Sequence, residues 1–177
     1  IFNSFSRKVE KFDPVNEGKV SMYVCGPTPY KEPHIGNAVP VVRYDLIRRY
    51  LEFKGYEVNF VTNVTDIDDK MIKIANERGI TIKELTNEVI SLYKNSEKKL
   101  NILEPTKTLY ATRFIDQVMS MNRILLQKGY AYELSDGIYF NIDKFPDYGK
   151  LSGVNLDELE DGARIDVKDE KINPKDF

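Results

Sequence analysis

Hydrophobic residues fall along this chain in two spacings. Val20-Ser21-Met22-Tyr23-Val24-Cys25 is short, rich in β-formers and stopped by Gly26-Pro27, which predicts a strand running into a loop. From Ala38 to Lys54 the apolar positions Val39, Val42, Leu46, Tyr50 and Phe53 recur at steps of three and four, while Arg43, Arg48, Arg49 and Glu52 fall largely elsewhere. This spacing predicts an amphipathic helix closed by Gly55. Residues 57–64 alternate again, with Val58, Phe60, Thr62 and Val64 on one face and Asn59, Val61 and Asn63 on the other, and predict a second strand. Strand, loop, helix and strand make a βαβ unit, with ligands expected at the carboxyl ends of its strands, where Cys25 and Thr65 fall.

Further on, helices are predicted at Ile67 to Glu77, at Ile82 to Leu100 behind the capping box Thr81-Ile82-Lys83-Glu84, and at Leu109 to Lys128 before Gly129. Three successive helices would interrupt the strand alternation. Tyr130 to Leu134 and Ile138 to Ile142 flank a Ser135-Asp136-Gly137 turn and predict an antiparallel hairpin. A soft boundary is placed near Gly129, dividing 1–128 from 129–177. The stretch after Leu156 is acidic and polar, and no internal repeat is found.

The chain has 177 residues, of which 41% are hydrophobic and 11% aromatic, enough for one sizeable core or one domain with part of another. No apolar run approaches the roughly 20 residues that span a bilayer, and the first residues lack the apolar segment of a signal peptide, so a cytoplasmic location is expected. One cysteine excludes an intrachain disulfide, and one cysteine with one histidine is too few for a four-ligand Cys/His zinc cluster within the chain. The net charge of −2 gives no global attraction to nucleic acid. Lys70, Lys73, Lys94, Lys98 and Lys99, with Arg43, Arg48 and Arg49, are interleaved with acids and read as solvated helix faces.

The chemistry concentrates between the first strand and the first helix. Gly26-Pro27-Thr28-Pro29-Tyr30 and His34-Ile35-Gly36-Asn37 approach a helix N-terminus, where free N–H groups and the helix dipole attract phosphate. Gly36 removes a side chain where a base or ribose could lie against backbone, and His34 can donate a hydrogen bond to a phosphate. Pro40 has no N–H for the carbonyl of Gly36, so the regular helical ladder is expected to begin with Val41 bonding to Asn37, which suits Asn37 as an N-cap. Thr65 is read alternatively as the N-cap of a helix starting at Ile67. Asp66, Asp68 and Asp69 enrich that helix's first turn with negative charge, which needs no function.

Met22-Tyr23-Val24-Cys25-Gly26-Pro27-Thr28 followed by His34-Ile35-Gly36 resembles the start of the class I aminoacyl-tRNA synthetases, and within them the cysteinyl-tRNA synthetases. Residues 63–70, Leu100-Asn101-Ile102, Gly162-Ala163-Arg164 and Asn173-Pro174-Lys175-Asp176-Phe177 resemble that family in the same order. The resemblance implies an α/β fold: the first half of a Rossmann-like parallel sheet over 1–128, with its helical extension, and the start of a small antiparallel connective insertion over 129–177. It implies ATP binding by Gly26, Pro27, Thr28, His34, Gly36 and Asn37, with His34 and Asn37 taking part in catalysis. The family's signature ends in a second histidine where this chain has Asn37; its amide can replace that group at the phosphates or serve the helix cap alone.

By the same resemblance Cys25 is a zinc ligand and, with Thr65, part of the amino-acid pocket; the other three zinc ligands are not found in this chain. Soft sulfur coordination explains how such a site selects cysteine over serine. Magnesium rides on the ATP, which reacts with cysteine before transfer to tRNA(Cys), and a monomer is expected. The family's Lys-Met-Ser-Lys-Ser loop is missing from these residues, so the chain alone is expected to be inactive. Two alternatives stay open: a related ATP-dependent ligase joining cysteine to an amino sugar, which Lys70 and Asp176-Phe177 fit less well, and a non-catalytic nucleotide- or tRNA-binding paralogue.

Overall fold

The computed structural model describes residues 1–153 and 170–177. Gly162-Ala163-Arg164 and the acidic stretch from Leu156 to residue 169 lie outside the described residues. In chain order the elements are β1 (Phe2–Asn3), β2 (Lys8–Val9), β3 (Lys19–Val24), α1 (Ile35–Phe53), β4 (Glu57–Val64), α2 (Asp69–Arg78), α3 (Ile82–Lys99), β5 (Lys107–Tyr110), α4 (Ile115–Gln127), β6 (Ala131–Leu134) and β7 (Gly137–Phe140). Two compact units divide them, residues 13–115 and residues 1–12 with 116–177.

The first of these units carries a parallel sheet in the order β3-β4-β5. The β3–α1–β4 unit is the one the spacing predicts. β5 is not: Lys107 to Tyr110 pairs with Val61 to Val64, and a 3₁₀ turn at Ala111–Phe114 separates it from α4. The expected helix from Leu109 is therefore a four-residue strand, a turn and a shorter helix. Four residues are too few for a period to declare itself, and tertiary pairing decides the outcome.

Helix α1 also departs from expectation in the face it buries. Val39, Val42, Leu46, Tyr50 and Phe53 are all exposed, Leu46 at 67% and Phe53 at 84%. The inward face instead carries Asp45 and Leu51, both buried. Its polar character has a local cause, because it satisfies the backbone of the turn that precedes β5. Asp45 Oδ1 accepts from the Leu103 N–H at 3.0 Å, while Arg48 donates to the Glu104 carbonyl at 2.7 Å and Arg49 to that of Asn101 at 2.5 Å.

Helices α2 and α3 hold the best-buried core of the unit, Met71, Ala75, Leu85, Val89 and Tyr93, with Tyr30 packed against it. Thr81 and Glu84 form the predicted capping box of α3. Helix α2 starts at Asp69 rather than Ile67, and its N-cap is Asp68, whose Oδ1 accepts from the Lys70 N–H at 2.9 Å; Thr65 is not the cap.

In the other unit β6 and β7 form the predicted hairpin, with Tyr132 opposite Tyr139 and their rings stacked at 6.0 Å. The buried Asp176 closes it, accepting from the Tyr132 hydroxyl at 2.7 Å and from the Ile142 N–H at 2.9 Å. These aromatic residues serve a small sheet, as cross-strand pairs do.

Candidate functional site

The strand ends come first. Parallel pairing sets Val24 level with Thr62, which brings the Cys25–Gly26 peptide abreast of Asn63. The Gly26 N–H donates to Asn63 Oδ1 at 2.7 Å, and the Thr65 N–H donates to the Pro27 carbonyl at 3.0 Å. A Cβ on Gly26 would lie 1.8 Å from the backbone oxygen of Asn63. This glycine is needed because the loop crosses β4 at backbone contact distance, a close approach that a side chain forbids. Its amide is committed to Asn63, and Pro27 has none, so neither offers an N–H to a phosphate. Asn63 also reaches Thr65, its Nδ2 donating to Oγ1 at 3.3 Å. Cys25 is exposed, its thiol 3.7 Å from the Gly26 carbonyl.

The helix start is built by shorter-range contacts. Pro29 is fully buried, and Tyr30 rests on the α2–α3 core, so the loop leaving Cys25 is anchored before it reaches α1. Lys70 stands over the Tyr30 ring at 5.6 Å from its centroid. The N-cap of α1 is His34 rather than Asn37. His34 Nδ1 accepts from the Gly36 N–H at 3.1 Å, and Asn37 Oδ1 accepts from the His34 N–H at 3.0 Å. Asn37 thus returns the hydrogen bond from the third helical position, the reciprocal arrangement of a capping box. The helix starts a turn before Pro40 because a missing N–H at Pro40 leaves only one carbonyl, that of the exposed Gly36, without its regular partner.

These contacts fix the chemistry of His34. With Nδ1 accepting a backbone N–H, the neutral ring carries its proton on Nε2, which leaves Nε2–H as the donor available to a ligand. Gly36 takes on a second meaning here. A Cβ at Gly36 would sit 2.9 Å from His34 Cε1 and 3.0 Å from Nδ1, so the space beside Gly36 is occupied by the imidazole that caps it.

A cavity of about 570 Å³ is lined by residues of α1, α3 and β4, with Cys25, Gly26, Phe60, Tyr93 and Glu97 in its wall. Burial pushes the Glu97 carboxyl above its ordinary range against the pull of Lys94, and burial, then Tyr30 and Glu97, push the Tyr93 hydroxyl up. Asp66 contributes to the surrounding frame by accepting from the Thr112 N–H at 2.9 Å, tying the chain after β4 to the chain after β5.

No group of three His, Cys, Asp or Glu side chains that could hold a metal stands among the described residues. The open thiol of Cys25 fits a single ligand position and does not complete a site. The sequence signals give Asn63 and Asp45 no role and place Asp66 in a helix's first turn, whereas α2 starts at Asp69 and Asp66 lies before its cap. Asparagine is disfavoured in strands, so Asn63 at the end of β4 is the one signal that points to a special role there.

A parallel sheet with polar groups gathered at its carboxyl ends, next to a capped helix start, is the architecture of a nucleotide-binding α/β domain. Residues 11–177 match the family model described as "tRNA synthetases class I (C) catalytic domain", and the chain belongs to that family. Its sequence is 52% identical over 177 residues to a cysteine–tRNA ligase of Lachnoclostridium phytofermentans and 49% identical over 177 residues to that of Halalkalibacterium halodurans. In both cases it spans 38% of the relative's length. Among solved structures it is similar in fold to the Mycobacterium tuberculosis methionyl-tRNA synthetase in complex with methionyl-adenylate, at a TM-score of 0.57 and 22% identity, over 63% of this chain and 23% of that one. The ternary complex of Agrobacterium radiobacter K84 agnB2 LeuRS, tRNA and LeuAMS gives a TM-score of 0.57 and 21% identity, over 68% of this chain and 16% of that one. Among the described residues no helix is long and apolar enough to cross a membrane.

Proposed function

We propose that this chain is the amino-terminal part of the catalytic domain of a cysteine–tRNA ligase. The observation that carries the reading is identity of 49 to 52% to two such ligases across all 177 residues. In the reaction a carboxylate oxygen of cysteine attacks the α-phosphate of ATP, pyrophosphate leaves, and the cysteinyl group passes from the adenylate to tRNA(Cys). Positioning and charge stabilisation carry such chemistry.

His34 donates Nε2–H to a nucleotide phosphate, held in place by Gly36 and Asn37. The surface formed by Gly26, Pro27 and Thr28 bounds the nucleotide, and ATP brings magnesium on its own oxygens. Cys25 and Thr65 face the amino acid. Zinc, with Cys25 as one of its ligands, supplies a soft anchor for the substrate sulfur when bound, and the remaining ligands come from the rest of the protein. Residues 129–177 begin the insertion that splits the nucleotide fold. The protein works in the cytoplasm as a monomer.

The test is ATP–pyrophosphate exchange by the full-length protein with cysteine and with serine. Exchange with cysteine and not serine is expected, and equal use of both defeats the reading. The 177-residue chain alone is expected to give no exchange.

A further inference from the structure

The hydrogen bonds of Asn63 determine where the proton of the Thr65 hydroxyl can go. A backbone N–H can only donate, so the carboxamide edge facing Gly26 at 2.7 Å must be the oxygen. The NH2 edge then faces Thr65, with Nδ2 at 3.3 Å from Oγ1. An amide NH2 can only donate as well, so Thr65 Oγ1 accepts this bond and keeps its own proton for another partner. Among the described residues no hydrogen bond takes that proton. Thr65 is half-buried, and its backbone is pinned to Pro27, so the hydroxyl is held in place without being consumed.

We propose that Asn63 is a positioning residue for the amino-acid substrate, setting the polarity of the Thr65 hydroxyl so that its proton is presented to an acceptor on the bound amino acid. The same side chain holds the Cys25–Gly26 peptide against the end of β4, two residues before Thr65. One carboxamide thereby fixes the two residues that face the amino acid, and an aspartate of the same shape does not do the same work. A carboxylate still accepts from the Gly26 N–H but draws the Thr65 proton onto itself, which leaves only lone pairs for the substrate. The inference rests on the proposed reading that Thr65 faces the amino acid.

Asn63→Asp in the full-length protein tests it, with Thr65→Val and the double variant completing a cycle. ATP–pyrophosphate exchange is measured against cysteine and against ATP, with thermal unfolding alongside. Loss of a hydrogen bond to a charged group predicts a rise in the KM for cysteine of about tenfold or more in Asn63→Asp. The KM for ATP stays within about twofold, because the helix start is untouched. In the Thr65→Val background Asn63→Asp adds no further loss, since the hydroxyl through which it acts is gone. An unchanged KM for cysteine in Asn63→Asp, or losses that add in the double variant, overturns the role of Asn63. Wild-type protein that gives no cysteine-dependent exchange overturns the functional reading itself, and the substrate acceptor with it.

Discussion

At the start of α1 the hydrogen bonds that fix His34 come from Gly36, Asn37 and Ala38, its close neighbours in sequence. At the strand ends the partner of Gly26 lies 37 residues away, and the contact exists only because β3 and β4 are paired in register. The first arrangement is a local motif that any helix with this sequence can form. The second is a property of the sheet. The end proposed for the nucleotide should therefore tolerate changes in the fold that the end proposed for the amino acid does not, and the two glycines make a matched pair for testing this.

Gly26→Ala should have the largest effect. Its Cβ meets the backbone oxygen of Asn63 at 1.8 Å, and backbone within a sheet cannot rotate aside. The loop must leave β4, giving up the Asn63 bond and the bond between Thr65 and Pro27. Overpacking of this kind costs about 1–3 kcal/mol. Thermal unfolding should show that loss in the isolated chain, and the full-length protein should lose cysteine-dependent exchange. An unchanged melting temperature would break the comparison, because it would mean the strand end is not held by close approach.

Gly36→Ala should have a smaller and different effect. The new methyl meets only the His34 ring, at 2.9 Å, and that side chain can swing away. Losing the imidazole cap costs about 1 kcal/mol, while alanine gains about as much in helix propensity. Stability is expected to stay nearly level, and the KM for ATP to rise in the full-length protein with little change in the KM for cysteine. A KM for ATP equal to that of the wild type would show that the His34 ring does not contact the nucleotide.

The same division explains what the residue spacing could reveal. Local features were legible: β3, α1 and β4 as separate elements show in the spacing of their own residues, and the Thr81–Glu84 box and the hairpin rest on contacts between near neighbours. The alternation of Glu57 to Val64 showed the strand that carries Asn63, but not the bonds of that side chain to Gly26 and Thr65. β5 was not legible either, since its four residues become a strand only by pairing with Val61 to Val64. The inward face of α1 went unseen for a related reason. Arg48 and Arg49 read as solvated helix-face residues, and Asp45 gave no signal, until the turn at Asn101 to Glu104 presents backbone groups for them to satisfy.

Asn37 carries the smallest expected effect and the finest test of the local end. Pro40 pointed to an asparagine N-cap, and the structure moves the cap to His34 and gives Asn37 the return bond, Oδ1 to the His34 N–H at 3.0 Å. Asn37→Ala removes that acceptor and costs about 0.5–1 kcal/mol in thermal unfolding. Because Oδ1 is engaged with backbone, the Nδ2 group is the part of this side chain left to meet a phosphate, so the variant should also slow amino-acid activation by the full-length protein. Asn37→Asp separates the two roles: its carboxylate keeps the bond to the His34 N–H but offers the phosphate a negative charge in place of a donor. Full stability with slowed activation would assign Nδ2 to the nucleotide, whereas an unchanged activation rate in both variants would leave capping as the only work Asn37 does.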